Sequence, residues 1–168
     1  MELLTYVEKA KTSQFHLWLL NAFFARMVPF NLPHRFAITH IGDESVRTLL
    51  PYRRKNLNHV KGLHACALAT LTEMSSGFLL AIKLDPKKFR LILRKLEIDY
   101  LYQGKMDAVC EFSLSNEWLK NNVYDPLTTA DSVDVVAEVK IFDIKGNQLT
   151  SGKAYWQVKD WAKVKTKA

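Results

Sequence analysis

Cysteine is scarce in this chain: Cys66 and Cys110 are the only two in 168 residues. That is too few for a disulfide framework, and both have apolar sequence neighbours. They read as reduced, buried thiols of a cytosolic protein. Six glycines and five prolines form no low-complexity tract or linker, and no internal repeat is visible. With 48% hydrophobic and 24% charged residues, the chain belongs with folded proteins, and its length suits one domain, 1–168. The apolar core of the one segment that resembles a membrane anchor is short of a bilayer span. That segment, 15–30 (FHLWLLNAFFARMVPF), is broken by His16, Asn21 and Arg26 and precedes no cleavage signal. It reads as an amphipathic helix packed on the domain, without stable membrane insertion. Five aromatics in one short segment leave an interfacial membrane helix as the other reading. His34, His40, His59 and His64 follow no metal-ligand spacing, so neither metal nor other cofactor is expected.

Acid is also in short supply. Seventeen Asp and Glu against 24 Lys and Arg give a net charge of +7 and a pI near 9.4. The basic residues concentrate at Arg53-Arg54-Lys55, at Lys87-Lys88 and in 159–167, but none alternates with aromatics as in a nucleic-acid surface. A nucleic-acid partner is therefore not expected. A basic surface of this kind also suits a small anionic ligand such as a nucleotide-bearing thioester.

Periodicity supplies the order of elements. Residues 3–27 read as one helix that stops before Pro29. Two short strands, 36–41 and 45–50, are joined at Gly42-Asp43-Glu44, and 51–61 is a polar, basic loop. An apolar helix occupies 63–80, and a loop holding Pro86 follows. The period then changes to two, with strands at 89–102, 106–115, 132–142 and 149–158. The polar insertion 116–131 (NEWLKNNVYDPLTTAD) reads as a lid or partner surface. The fold class is α+β. One antiparallel sheet must wrap around the apolar helix, because no second sheet is available to bury it.

The segment 58–77 (NHVKGLHACALATLTEMSSG) is the most informative. A glycine-containing polar loop runs into a helix that is apolar on nearly every side, with one carboxylate, Glu73. Such a helix is normally buried, and an unpaired buried charge is costly. Either Glu73 pairs with a Lys or Arg, or it has a chemical task.

The order of elements, together with Asn58, Gly62, His64 and an acid nine residues after that histidine, resembles the hotdog fold. Within it the chain is similar to acyl-CoA thioesterases of the phenylacetate-pathway type. The resemblance spans 36–158, with 1–30 as an N-terminal helical extension like that of a little-characterised bacterial branch. It departs from the family at Ala65-Cys66, where the family has Gly-Gly. The Asp–His pair of hotdog hydratases is absent.

The resemblance implies thioester hydrolysis. Its catalytic positions fall on Glu73 as general base or nucleophile, the Ala65 N–H as oxyanion donor, His64 and Asn58. Gly62, Arg53, Arg54 and Lys61 would bind substrate, an acyl-CoA or another acyl thioester. Plainer readings stand beside these: His64 as a helix cap, Asn58 as a turn residue, and the loop cations as solvated charge. Nine residues at about 100° each put His64 and Glu73 on opposite sides of the helix, about 13.5 Å apart along it. The family solves this with a site between two subunits, so a homodimer, or a tetramer built from dimers, is implied. The alternative function is a hotdog protein that binds acyl thioesters or fatty acids as sensor or carrier without turnover.

Overall fold

The computed structural model describes residues 3–164. Its centre is α3 (Ala65–Leu84), held in a six-stranded antiparallel sheet of order β1-β2-β4-β5-β6-β3. The strands are β1 (Ala37–Ile41), β2 (Ser45–Leu50), β3 (Phe89–Tyr100), β4 (Ala108–Ser113), β5 (Ser132–Asp143) and β6 (Gln148–Asp160). The pattern predicts one sheet around the apolar helix, and the arrangement is the hotdog fold that the resemblance implies. On the inner face, Val135, Ala137, Val139 and Ile141 of β5 are buried, and so are Ala154, Trp156 and Val158 of β6. The alternate residues of β5 point to solvent, as expected of a sheet with one covered face.

Helix α3 is long and apolar enough to cross a membrane, but its apolar side is the core, with Leu71, Leu79 and Leu80 fully buried. The same side carries hydroxyls, and each finds a partner. Ser75 Oγ lies 2.6 Å from Thr48 Oγ1. Ser76 Oγ donates to the Thr72 carbonyl at 2.9 Å and accepts from Trp156 Nε1 at 3.1 Å. Gly77 is required by this packing: a Cβ there would sit 2.7 Å from the Trp156 ring.

The N-terminal region is two helices where the pattern suggests one: α1 (Leu3–Thr12) and α2 (Gln14–Met27). Ser13 separates them. It is extended, and its Oγ accepts the His16 N–H at 3.4 Å as an N-cap. Helix α2 is bolted to the sheet by Asn21, which pairs with Ile38 on edge strand β1. Asn21 Oδ1 accepts the Ile38 N–H at 2.7 Å, and Nδ2 donates to the Ile38 carbonyl at 2.8 Å. A 3-10 segment, Pro29–His34, follows.

The insertion is a packed helical run. It comprises α4 (Asn116–Leu119), a π-turn (Lys120–Tyr124) and α5 (Asp125–Leu127). Leu119, Val123 and Leu127 recur every fourth residue and form one inward face, with Leu119 and Val123 in the core. Lys83 donates to Asn116 Oδ1 at 2.8 Å, and Tyr124 Oη donates to the Lys83 carbonyl at 3.3 Å, pinning the run to the end of α3.

Candidate functional site

The loop before α3 is organised by Asn58. Its Oδ1 accepts the N–H groups of Val60, at 3.1 Å, and Gly62, at 2.9 Å. Its own N–H donates to the Gly62 carbonyl at 2.8 Å. This is an Asx-type turn, so the side-chain oxygen is spent on the loop. Lys61 takes the left-handed conformation, φ 57°, and is exposed. Gly62 is buried because Gln103 crosses over it: a Cβ at Gly62 would fall 2.8 Å from that side chain.

His64 is the N-cap of α3. Its Nδ1 accepts the Cys66 N–H at 3.0 Å, which fixes the neutral tautomer with its proton on Nε2. Nε2 has no partner among the described residues and belongs to an exposed side chain. The N–H groups of Ala67 and Leu68 both reach the His64 carbonyl. Ala65 at the first helical position is exposed, and its N–H has no acceptor among the described residues. Tyr100, at the end of β3, donates to the Ala65 carbonyl at 3.1 Å. The helix therefore begins with one unspent backbone donor at its positive dipole end.

Cys66 is exposed, not buried as its apolar neighbours suggest. The first turn of α3 projects past the sheet, and burial begins at Ala67. Cys110 is buried against Ser75 and Thr48, and burial pushes its thiol up to about 11.

Glu73 lies two and a half turns further along. Its carboxylate makes neither an ion pair nor a hydrogen bond among the described residues, and burial alone raises its pKa above the ordinary carboxylate value. It lines an open cavity of about 390 Å³ together with Thr70, Met74, Gly77, Phe78, Ala81 and Trp156. The opposite wall is Phe24 and Val28 with Phe30 and Asn31 of the 3-10 segment. Phe24 stacks edge-on against Phe78, ring centroids 5.0 Å apart. Glu73 is thus a lone carboxylate in an apolar recess with only two other polar side chains, Thr70 and Asn31.

That wall is invisible in the periodicity, and so is the residue that places it. Asn56 is fully buried. Its Nδ2 donates to the carbonyls of His34 and Pro51, at 2.9 and 2.8 Å, and its Oδ1 lies 2.9 Å from His34 Nδ1. Its carbonyl accepts the His64 N–H at 2.8 Å. One residue, through its side chain and its carbonyl, therefore ties the N-terminal segment to the start of α3.

The loop cations divide. Arg54 and Lys55 are exposed on a short 3-10 turn, Arg54–Asn56. Arg53 is half-buried, and its Nη1 is buried without a hydrogen-bond partner. Within one chain the structure brings Asn58, Gly62, His64 and Ala65 together at the helix start. Glu73 stands apart, against the N-terminal segment. No group of three or more His, Cys, Asp or Glu suited to a metal occurs among the described residues.

The fold has solved counterparts. A Pseudomonas aeruginosa protein of unknown function, named a probable thioesterase, superposes with a TM-score of 0.77 at 20% identity, over 84% of this chain and 94% of that one. A Staphylococcus aureus thioesterase, solved as a mutant, gives 0.64 at 17% identity, over 79% and 99% of the two chains. A Haemophilus influenzae thioesterase gives 0.67 at 11% identity, over 90% and 95%. At these identities the likeness establishes a shared fold. No curated protein matches the sequence. The model of the family described as "Domain of unknown function (DUF4442)" matches residues 17–158, and the chain belongs to that family.

Proposed function

We propose that this protein hydrolyses an acyl thioester, with acyl-CoA as the substrate class, at sites shared between two subunits. The observation that carries the reading is Glu73: an unpaired carboxylate, its pKa raised by burial, in the wall of an apolar cavity. A base working near neutral pH needs such a shift. Thioesterases among the structural counterparts support the chemistry at the level of fold.

In this reaction Glu73 takes a proton from water as the water oxygen attacks the thioester carbonyl carbon. The carbonyl oxygen gains the negative charge, and the Ala65 N–H, with the dipole of α3 behind it, receives it. His64 Nε2–H can donate to the same oxygen, while Asn58 and Gly62 hold the loop that positions both. The C–S bond then breaks as the carbonyl re-forms, and the thiolate leaves with the proton that Glu73 took from water. The acyl group occupies the cavity lined by Phe24, Met74 and Phe78. Arg53, Arg54 and Lys61 offer positive charge to the phosphates of a coenzyme A carrier.

The site must be composite. Ala65 and Glu73 lie about 12 Å apart along one helix, too far to serve one carbon. A free edge is available for pairing. β3 bonds β6 on one side only and ends in the exposed Tyr100, followed by the exposed Leu101 and Tyr102. Two-fold pairing there would set each helix start near the partner's carboxylate. The free thiols fit a reducing compartment such as the cytoplasm.

The second reading, a sensor or carrier without turnover, is favoured by the Cβ of Ala65, which crowds the approach to its N–H. Purified protein offered acyl-CoAs of graded chain length, including aryl ones, with free thiol as readout, decides between them. Turnover that is lost in E73A, with acyl binding retained, supports hydrolysis. Binding without thiol release from any substrate would establish the carrier.

A further inference from the structure

The outer face of α2 is built the wrong way round for a helix of a soluble domain. At about 100° per residue, Phe15, Trp18, Ala22, Phe23, Arg26 and Met27 fall on one arc of roughly half the circumference. Phe15, Trp18 and Met27 are 63–64% exposed. The arc continues into the 3-10 segment, where Phe30 and Leu32 are each 60% exposed. Asn21, in the middle of this helix, faces inward and bonds Ile38. The helix is therefore fixed in place with its aromatics outward, and this exposure is a property of the docked structure.

We propose that this face docks on a bilayer rich in anionic lipid. Three observations fix the occupant. First, residues 9–42 contain no Asp or Glu but hold Lys9, Lys11, Arg26 and Arg35. Arg26 and Arg35 form no ion pair among the described residues. Lys11 is paired with Glu8 and Asp43 at the far end of α1, whereas the cations nearest the apolar face, Arg26 and Arg35, have no acid beside them, and such a face complements an anionic headgroup layer. Second, a recess of about 450 Å³ opens between α1 and α2, lined by Leu3, Tyr6, Leu19, Leu20 and Phe23, suited to a lipid chain. Third, Val28 and Phe30 belong both to the exposed face and to the wall of the Glu73 cavity. A ligand with a long acyl chain can thus pass from the lipid layer into the cavity without crossing water. The inference stands apart from hydrolysis, since docking needs no turnover.

Cosedimentation with vesicles tests it, using equal parts phosphatidylglycerol and phosphatidylcholine against phosphatidylcholine alone. The protein should partition to the anionic vesicles and much less to the neutral ones. F15S/W18S should lower that partition about tenfold or more, and R26E by several-fold, whereas E73Q should partition as the wild type. Circular dichroism confirms that each variant is folded. Equal partition to both vesicle types, or F15S/W18S binding as the wild type, overturns the proposal. So does a wild type that ignores vesicles while F15S/W18S halves its mass in light scattering, because the face would then be covered by a second copy.

Discussion

Helices α2 and α3 are both nearly free of charge, and they spend that freedom in opposite ways. α3 turns its leucines inward and can do so on a crowded face because Gly77, Ser75 and Ser76 allow close approach and give each hydroxyl a partner. α2 holds its bulky rings outward and presents Leu17 and Leu20 to the core. Apolar composition alone does not say which side of a helix is buried. The size of the residues on each arc, and the partners offered to the inward-facing polar groups, decide it. On α3 the unpartnered group is Glu73; on α2 the inward-facing amide, Asn21, is partnered by Ile38 and Leu17.

If that contrast is sound, the largest effect belongs to the unpartnered carboxylate. E73Q should lower kcat for thioester hydrolysis by about 10²–10⁴, measured as free thiol against acyl-CoA. In the wild type, activity requires the ionised carboxylate, so kcat/KM should rise with pH through the raised pKa of Glu73. The acid limb should then lie above the ordinary glutamate value of ~4.3. The same shift has a sign for stability. Burial favours the protonated acid in the fold, so the contribution of Glu73 is fully present below its unfolded pKa and is lost as pH rises through the folded one. E73Q should therefore gain stability over the wild type at neutral pH and not in acid. An acid limb at the ordinary carboxylate position would remove the case for a desolvated base.

A65P is next. Proline is tolerated at the first helical position, and His64, at φ −68° and ψ 137°, already has the backbone that precedes proline. The unspent N–H is the only donor lost. Turnover should fall about 10²–10³-fold with an unchanged melting curve. Full activity in A65P would clear this amide of any part in the chemistry.

Gly77→Ala sharpens the packing half of the contrast. Helix propensity favours alanine by about 1 kcal/mol, yet its Cβ meets the Trp156 ring at 2.7 Å. Overpacking of this sort costs ~1–3 kcal/mol, so urea denaturation should show a net loss. The smallest effect is on α2. F15S/W18S should change folding stability by no more than about 0.5 kcal/mol, because both side chains are already in solvent. A larger loss would mean that the outer arc supports the fold.

Much of this was readable in the chain. The apolar run from Leu63 and the period-two strands after it required one sheet around one helix, and Glu73 stood out because nothing in its helix could pair with it. The far wall of its cavity was hidden, since Phe24, Phe30 and Asn31 are far from α3 in sequence, the Phe24–Phe78 contact linking positions 24 and 78. Asn56, whose amide sets that contact, resembles any loop asparagine. In 116–131 the polar majority masked a four-residue repeat of Leu119, Val123 and Leu127. Cys66 was misplaced because sequence neighbours do not reveal that the first turn of α3 overhangs the sheet.

The composite site is tested most directly by mixing two inactive variants, A65P and E73A, after unfolding and refolding them together. Each hybrid dimer has one site carrying both lesions and one carrying neither. Random pairing of equal amounts should restore about a quarter of wild-type turnover. No recovery, in a mixture shown by native mass spectrometry to contain hybrids, would contradict a site built from the helix start of one subunit and the carboxylate of the other.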